Sequence, residues 1–322
     1  MRRMGYAAIA ALVLELLPGA ASAQNYPHKP IRFVVPFGVG GPGDAIGRML
    51  GRQLTDSLGQ PVVIDNRSGA TTIIGTELVA KSPPDGHTLL LISTTHAVNP
   101  SLFPKLPYDP IKDFSPVTMI TATPFMLGIH PSVAANSVAE FVALARGKPG
   151  SLNYGSSGAG SSIHLTTELL KSAANLQMTH VPYKGSGPAF IDLIGGQIQM
   201  LFSSTVSTMP HVKSGKVRGL AITSLKRAPA LPEMPTIAES YPGFESSSWF
   251  GLLVPARTPQ PVMDRLLKET RSALKSPDVN QALVSQGAEP GGSSPAEFGA
   301  YFQSEIGKWA KVIKSTGIKL EQ

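Results

Sequence analysis

The 322-residue sequence contains no cysteine. Disulfides, thiolate metal sites and a lipid-modified cysteine anchor are therefore excluded. Apolar runs of membrane-spanning length are missing too. Beyond the N-terminus, Gly, Pro or a charged residue interrupts every apolar stretch. The N-terminal run Ala7–Leu17, itself broken by Glu15, falls short of the roughly 20 apolar residues that cross about 30 Å of hydrocarbon. The seven histidines form neither H-x-x-x-H nor H-E-x-x-H, so no metal motif is present. There is no G-x-S-x-G nucleophile elbow, no repeat of fixed period and no low-complexity tract.

The N-terminus carries an export pattern instead. Arg2 and Arg3 form a positive start, Ala7–Leu17 an apolar stretch, Pro18-Gly19 a break and Ala21-Ser22-Ala23 a small-x-small cleavage site. Residues 1–23 read as a signal peptide cleaved after Ala23. The mature protein is expected to work outside the cytoplasm, in the periplasm of a Gram-negative cell, as an untethered monomer. Its charge is modestly positive: without residues 1–23, 26 basic residues stand against 20 acidic ones. These are scattered rather than clustered with aromatics, which argues against nucleic-acid binding and leaves a mild field favouring anionic solutes. The 29 prolines and 32 glycines call for many tight turns, and about 300 mature residues suit one large or two medium domains.

Short apolar strands alternate with helical periodicity along the chain. Ile31–Pro36, Val62–Ile64 and Thr88–Ser93 read as strands, separated by helical stretches that begin at Asp44 and Thr71. The middle repeats this grammar. Strands are expected at Phe125–Ile129, Leu152–Tyr154, Met178–Val181, Ile198–Phe202 and Val217–Thr223, with helices between them. A strand at Ser247–Val254 and three helices, Pro259–Lys275, Pro277–Gln286 and Pro295–Ser315, close the chain. Continuous apolar strands between helices indicate mainly parallel sheets covered on both faces. The expected architecture is α/β and two-lobed, with the middle of the chain inserted between its N-terminal and C-terminal parts. Residues 24–123 plus 250–322 form one lobe and 124–249 the other. Two segments cross between them, near residues 120–126 and 245–252.

Gly38-Val39-Gly40-Gly41-Pro42-Gly43 matches G-x-G-x-x-G between a strand and a helix, with Asp65 near the end of the next strand. That is the dinucleotide fingerprint. Pro42 has no N–H for a pyrophosphate, and nicotinamide cofactors are not expected outside the cytoplasm, so no cofactor is assigned. A helix N-terminus can still receive another anion, such as a carboxylate. Three more loops follow strands and precede helices: Ser93-Thr94-Thr95-His96, Gly155 to Ser162 ahead of His164, and Ser203-Ser204-Thr205. In open α/β sheets, ligands collect beyond the carboxyl ends of strands. Four such loops together point to a small-molecule cleft. Each taken alone is an ordinary helix-capping sequence. A secreted hydrolase is the rival reading. Acting on an ester of a small carboxylic acid, it would need a nucleophile such as Ser157 or Ser161, with His96 or His164 as base. Lys184 is the one cation beside a strand-to-helix junction, either a carboxylate partner or a solvated surface lysine. Trp249 and Phe250 are either an aromatic wall or core.

Longer stretches carry a resemblance. They include Tyr26–Arg32, Val34–Phe37 with Gly40, Gly41 and Asp44, Leu58–Val63, Pro84–Leu89, Leu106–Pro110, Lys112–Phe114, His180–Gly185, Leu231–Thr236 and Ser248–Gly251. Through them the mature chain resembles, almost end to end, the Bug-type solute-binding receptors of tripartite tricarboxylate transporters. The resemblance implies a type II-like periplasmic-binding-protein fold, a two-lobed receptor that closes on a small carboxylated solute and delivers it to a two-component membrane permease, without catalysis. It implies ligand contacts from the Phe37–Asp44 turn (Phe37, Val39, Gly40, Gly41, Asp44), Thr94, Thr95, His96, Ser157, Gly158, Gly160, Ser161, Ser162, His164, Lys184, Ser203 and Ser204. Two departures stand out. Gly38-Val39 replaces the prolines usual before the Gly pair, and Ser203 stands where the family commonly has Asp. The second disfavours an amino-acid ligand and favours a dicarboxylate or an aromatic carboxylate. A sensor feeding a membrane kinase would share every one of these features.

Overall fold

In this computed structural model residues 26–317 are described, apart from 230 and 286. The segment read as an export signal, residues 1–23, lies outside the described residues. β1 (Ile31–Val35), β2 (Val62–Asn66) and β3 (Thr88–Ser93) pair in parallel in the order β2-β1-β3. Leu89 to Ile92 are all buried, as a strand covered on both faces requires. Between β1 and β2 runs α1 (Pro42–Leu58). Pro42 sits in its first turn, where a missing N–H costs nothing, and Gly59 ends it at φ 70°. Ile46, Leu50, Leu54 and Leu58 recur every four residues and are buried on the sheet, each worth about 2 kcal/mol. α2 (Ile73–Ala80) links β2 to β3 after a short turn, Ala70–Thr72.

The stretch read from sequence as a polar loop, Ser93–His96, is instead the start of α3 (Thr94–Leu102). The Ser93 hydroxyl accepts the Thr95 N–H at 3.3 Å and caps it. Pro100 inside the helix and the buried polar residues Thr94, His96 and Asn99 hide its periodicity.

β4 (Phe114–Ile129) is one strand of 16 residues that belongs to both sheets. Phe114 to Pro124 pair antiparallel with β9 (Ser247–Pro255), which also pairs antiparallel with β3. Phe125 to Ile129 pair antiparallel with β7 (Met200–Ser204), and Met126 to Ile129 with β8 (Arg218–Ile222). β5 (Asn153–Ser156) and β6 (Thr179–Pro182) complete the second sheet, parallel to each other and to β7. Each sheet is therefore mixed rather than mainly parallel: three parallel strands beside an antiparallel seam. The seam follows from topology, because the chain leaves along β4 and returns along β9.

The helices of the second sheet are α4 (Val138–Gly147), α5 (Ser162–Ala174), α6 (Ser186–Ile194) and α7 (Thr205–Lys213). α8 (Gln260–Lys275), α9 (Pro277–Ser285) and α10 (Pro295–Thr316) pack back on the first sheet, and a two-residue strand, β10 (Glu289–Pro290), pairs with β4. One apolar core runs from Phe125 to Phe244. A second surrounds β1, α1 and α8. A third gathers Trp249, Phe298 and Trp309 with Leu165, so α5 docks against α10 across the two lobes.

Candidate functional site

Two adjoining cavities of about 400 and 420 Å³ share Ser157, Ser162, Ser248 and Phe250 as walls and form one cleft at the crossing strands. The first lies against the start of α3 and the Ser157–Ser161 loop. The second lies against the starts of α1, α6 and α7, with Thr121, Thr123 and Phe125 of β4 beside it. None of the lining residues is Asp, Glu, Lys, Arg or His. The polar surface consists of hydroxyls and backbone.

Helix N-termini supply the field. Ser161 caps α5 by accepting the His164 N–H at 3.3 Å, and Ser204 caps α7 by accepting the Ser207 N–H at 3.2 Å. α3, α5, α6 and α7 all begin at the cleft without an acidic residue in the first turn. Each presents roughly half a positive charge to it. Such an arrangement receives an anion without a formal cation.

The Gly38–Asp44 turn does not work this way. The Gly40 N–H donates to the Asp44 carboxylate at 2.9 Å, and Arg48 and Asn66 bind the same group at 3.0 Å. The Arg48 guanidinium foremost, then the Gly40 amide, holds the Asp44 carboxyl down at about 2. The α1 N-terminus thus carries its own anion. Gly40, Gly41 and Asp44 do not line the cleft, and Val39 is 74% exposed. Phe37 stands one layer back, edge-on to Phe250 with ring centroids 5.7 Å apart.

His96 is displaced as well. Its side chain points away from the cleft into the core, against Tyr108, Phe114 and Phe302, and its Nε2 lies 3.3 Å from the Pro110 carbonyl. A helix rather than a loop carries it, so Thr94 and Thr95 face the cavity and His96 the opposite side. Lys184 is exposed and lines neither cavity. The cleft does bring together Thr94, Thr95, Ser157, Gly158, Gly160, Ser161, Ser162, Ser203 and Ser204.

His164 supports the Ser157–Ser161 loop from behind. Its Nδ1 accepts the Gly160 N–H at 3.0 Å, and its ring stacks on His180 at 3.8 Å. His180 Nε2 meets the Ser156 hydroxyl at 2.7 Å. Burial, reinforced by His180, brings the His164 pKa down to about 4. Below the pair, Glu168 takes the Tyr154 hydroxyl and, at 2.6 Å, the Lys171 ammonium. The ring nitrogens of His164 are turned to Gly160 and Glu168, not to a serine hydroxyl. No nucleophile–base pair results.

Sequence reasoning missed Thr71, Ser186, Ser207, Ser248 and the β4 residues Thr121 and Thr123. For the crossing strands a signal existed. Side chains alternate along a strand, so Ser248 and Phe250 face the cleft while Trp249 turns into the core. The aromatic pair therefore divides: Phe250 is wall and Trp249 is core.

A cleft of hydroxyls and helix N-termini, set where two α/β lobes meet at crossing strands, is that of a solute-binding protein. The chain belongs to the TctC family, described as tripartite tricarboxylate transporter family receptors, which its residues 46–318 match. It is 40% identical over 303 residues to Protein BugT of Bordetella pertussis, covering 93% of each chain. Among solved structures it is similar to Rhodopseudomonas palustris Rpa4515 with adipate, at 38% identity and a TM-score of 0.73 over 91% of this chain and 99% of that one. It is also similar to MatC from the same organism with bound malate, at 33% identity and a TM-score of 0.70 over 89% of this chain and all of the other. It is similar as well to the solved structure of the periplasmic binding protein BugD, at 33% identity and a TM-score of 0.70 over 92% of this chain and all of the other, and this family member is a receptor rather than an enzyme. Among the described residues no helix is long and apolar enough to cross a membrane.

Proposed function

We propose that this receptor binds a small dicarboxylate in the periplasm and hands it to a two-component membrane permease. The observation that carries this reading is a cleft with no charged side chain, faced by four helix N-termini that have no acid in their first turns. A carboxylate is held there by amides and hydroxyls, without the desolvation penalty of burying a cation beside it. The two compartments divide these ends, with α3 at the first and α6 and α7 at the second, so a solute with an acid group at either end is matched at both. Adipate and malate in the related structures are acids of this kind. Ser203, without charge, leaves nothing to meet a ligand ammonium. The lobes are taken as 24–123 with 250–322, and 124–249, closing about β4 and β9. Cleavage after Ala23 releases the mature monomer.

The test is a thermal-shift screen of mono-, di- and tricarboxylates and aromatic acids, using protein stripped of co-purified ligand. A ligand that binds only the folded state raises the melting temperature, by about 2.7 kcal/mol of added stability at a hundred times its Kd. Dicarboxylates are expected to give the largest shifts. If no acid shifts the transition and calorimetry records no heat, the reading fails.

A further inference from the structure

The first cavity has one wall built on an unusual backbone. Between β2 and α2 the chain passes through four consecutive residues with positive φ: Gly69 at 129°, Ala70 at 44°, Thr71 at 53° and Thr72 at 75°. Three of these carry a side chain, and two are β-branched, the type that adopts this region least readily. A turn of this kind persists only where its surroundings hold it.

The holding group is Asn99, which is fully buried on α3. Its Nδ2 donates to the Thr71 carbonyl at 2.8 Å and lies 3.5 Å from the Thr72 hydroxyl. The Thr76 hydroxyl donates to the Thr72 carbonyl at 2.9 Å and fixes the turn from the other side. The consequence reaches the cleft, because Thr71 is the residue of this turn that lines the first cavity. Val98 and Leu102, neighbours of Asn99 on the same helix, line the cavity with it. One helix therefore forms part of the wall and fastens the turn that forms another part.

We propose that Thr71 is a specificity-determining residue and Asn99 its positioning residue. The strained turn sets the end wall of the first cavity and so the length of solute the receptor accepts. This rests on the dicarboxylate reading above. Glycine at position 71 accepts the left-handed conformation and deletes the wall. Loss of the Asn99 amide lets the turn relax and carries Thr71 out of the wall. Both changes should extend the cavity in the same direction.

The experiment measures affinities of stripped wild-type protein, Thr71→Gly and Asn99→Ala for unbranched diacids from succinate to suberate by calorimetry, with melting temperatures alongside. In both variants the ratio of long-diacid to short-diacid affinity is expected to move at least about tenfold toward the longer acid, the effect of roughly one methylene of pocket length. Asn99→Ala should also melt lower than wild type, and Thr71→Gly should not. A purely structural Asn99 would lower the melting temperature and leave the ratio unchanged. A ratio within twofold of wild type in Thr71→Gly overturns the inference while the dicarboxylate reading stands. The same result in Asn99→Ala alone overturns the role of Asn99. A wild-type protein that binds none of the diacids overturns the dicarboxylate reading and this inference together. Should Asn99→Ala fail to fold, Thr71→Gly decides the wall.

Discussion

Replacing His96 by phenylalanine separates the two roles this residue could have. Its ring is 1% exposed, parallel to Tyr108 at 5.7 Å and packed against Phe114 and Phe302. Nε2 has a long contact with the Pro110 carbonyl, and Nδ1 has no partner. Burial, opposed by the hydrogen bond to that carbonyl, brings its pKa from 6.5 to about 4. The unfolded chain thus binds a proton that the folded protein refuses. Stability from the neutral ring is complete above pH 6.5 and is lost as pH falls from 6.5 toward 4. The full difference is worth about 3 kcal/mol, of which about 2 kcal/mol is gone by pH 5. His96→Phe removes that loss. It exchanges one weak hydrogen bond for apolar burial, so at pH 7.5 its stability should lie within about 1 kcal/mol of wild type. Urea unfolding followed by circular dichroism at pH 7.5, 6.5, 5.5 and 5.0 is the assay. Both proteins will weaken in acid, because burial also lowers His164 and His180. The variant should gain about 2 kcal/mol on wild type across the range, with dicarboxylate affinity at pH 7.5 unchanged. Parallel stability profiles, or a loss of affinity, would refute the placement of His96 in the core.

Three further outcomes follow from the cleft and its supports. Ser203→Asp places a carboxylate among the second cavity's walls, and a like charge at about 6 Å in an effective dielectric near 20 weakens a bound diacid by about 3 kcal/mol, or roughly a hundredfold; calorimetry showing less than a threefold change would remove Ser203 from the ligand's surroundings. Phe250→Ala takes out a wall common to both cavities and should weaken binding by at least about tenfold, whereas an unchanged Kd would mean the solute never reaches β9. Glu305→Leu strands two buried indole N–H groups, those of Trp249 at 2.9 Å and Trp309 at 3.0 Å, and should cost about 2–5 kcal/mol in urea unfolding with altered tryptophan fluorescence; a loss below 1 kcal/mol would show that the bonds are dispensable.

Much of the lobe organisation was legible because the apolar pattern reports burial directly. Leu89 to Ile92 announce a strand covered on both sides, and the fourfold spacing Ile46, Leu50, Leu54, Leu58 announces one helix face. β4 was legible only over its last five residues. Pro116 and Pro124 punctuate its first part, and alternation between core and cleft replaces the continuous run. α3 stayed hidden for a related reason. Its buried residues Thr94, His96 and Asn99 are polar: Thr94 lines the cleft, Asn99 holds the Thr71 turn, and His96 packs among core aromatics. Periodicity registers apolar residues, so an element that buries function is the one it overlooks. The turn itself was beyond reach: nothing in Ala70-Thr71-Thr72 signals a left-handed backbone, which is imposed by Asn99, 28 positions from Thr71.

The glycine turn shows what separates a helix start left open to an outside anion from one that is already answered. α1 and α5 both begin after glycines at the carboxyl end of a strand, and both match expectations for an anion site. Asp44 stands in the first turn of α1 and answers the helix field with its own carboxylate, drawing Gly40, Arg48 and Asn66 around it. At α3, α5 and α7 the cap is a serine. A serine hydroxyl satisfies one N–H and leaves the partial positive charge of the remaining ones uncancelled. The distinction is written in single residues: an acid within three positions of the cap makes the start self-contained, and a hydroxyl leaves it open to an anion from outside. The fingerprint at Gly38–Gly43 therefore has its helix field already answered by Asp44, on electrostatic grounds independent of compartment. The serine-capped starts across the cleft have no such internal anion.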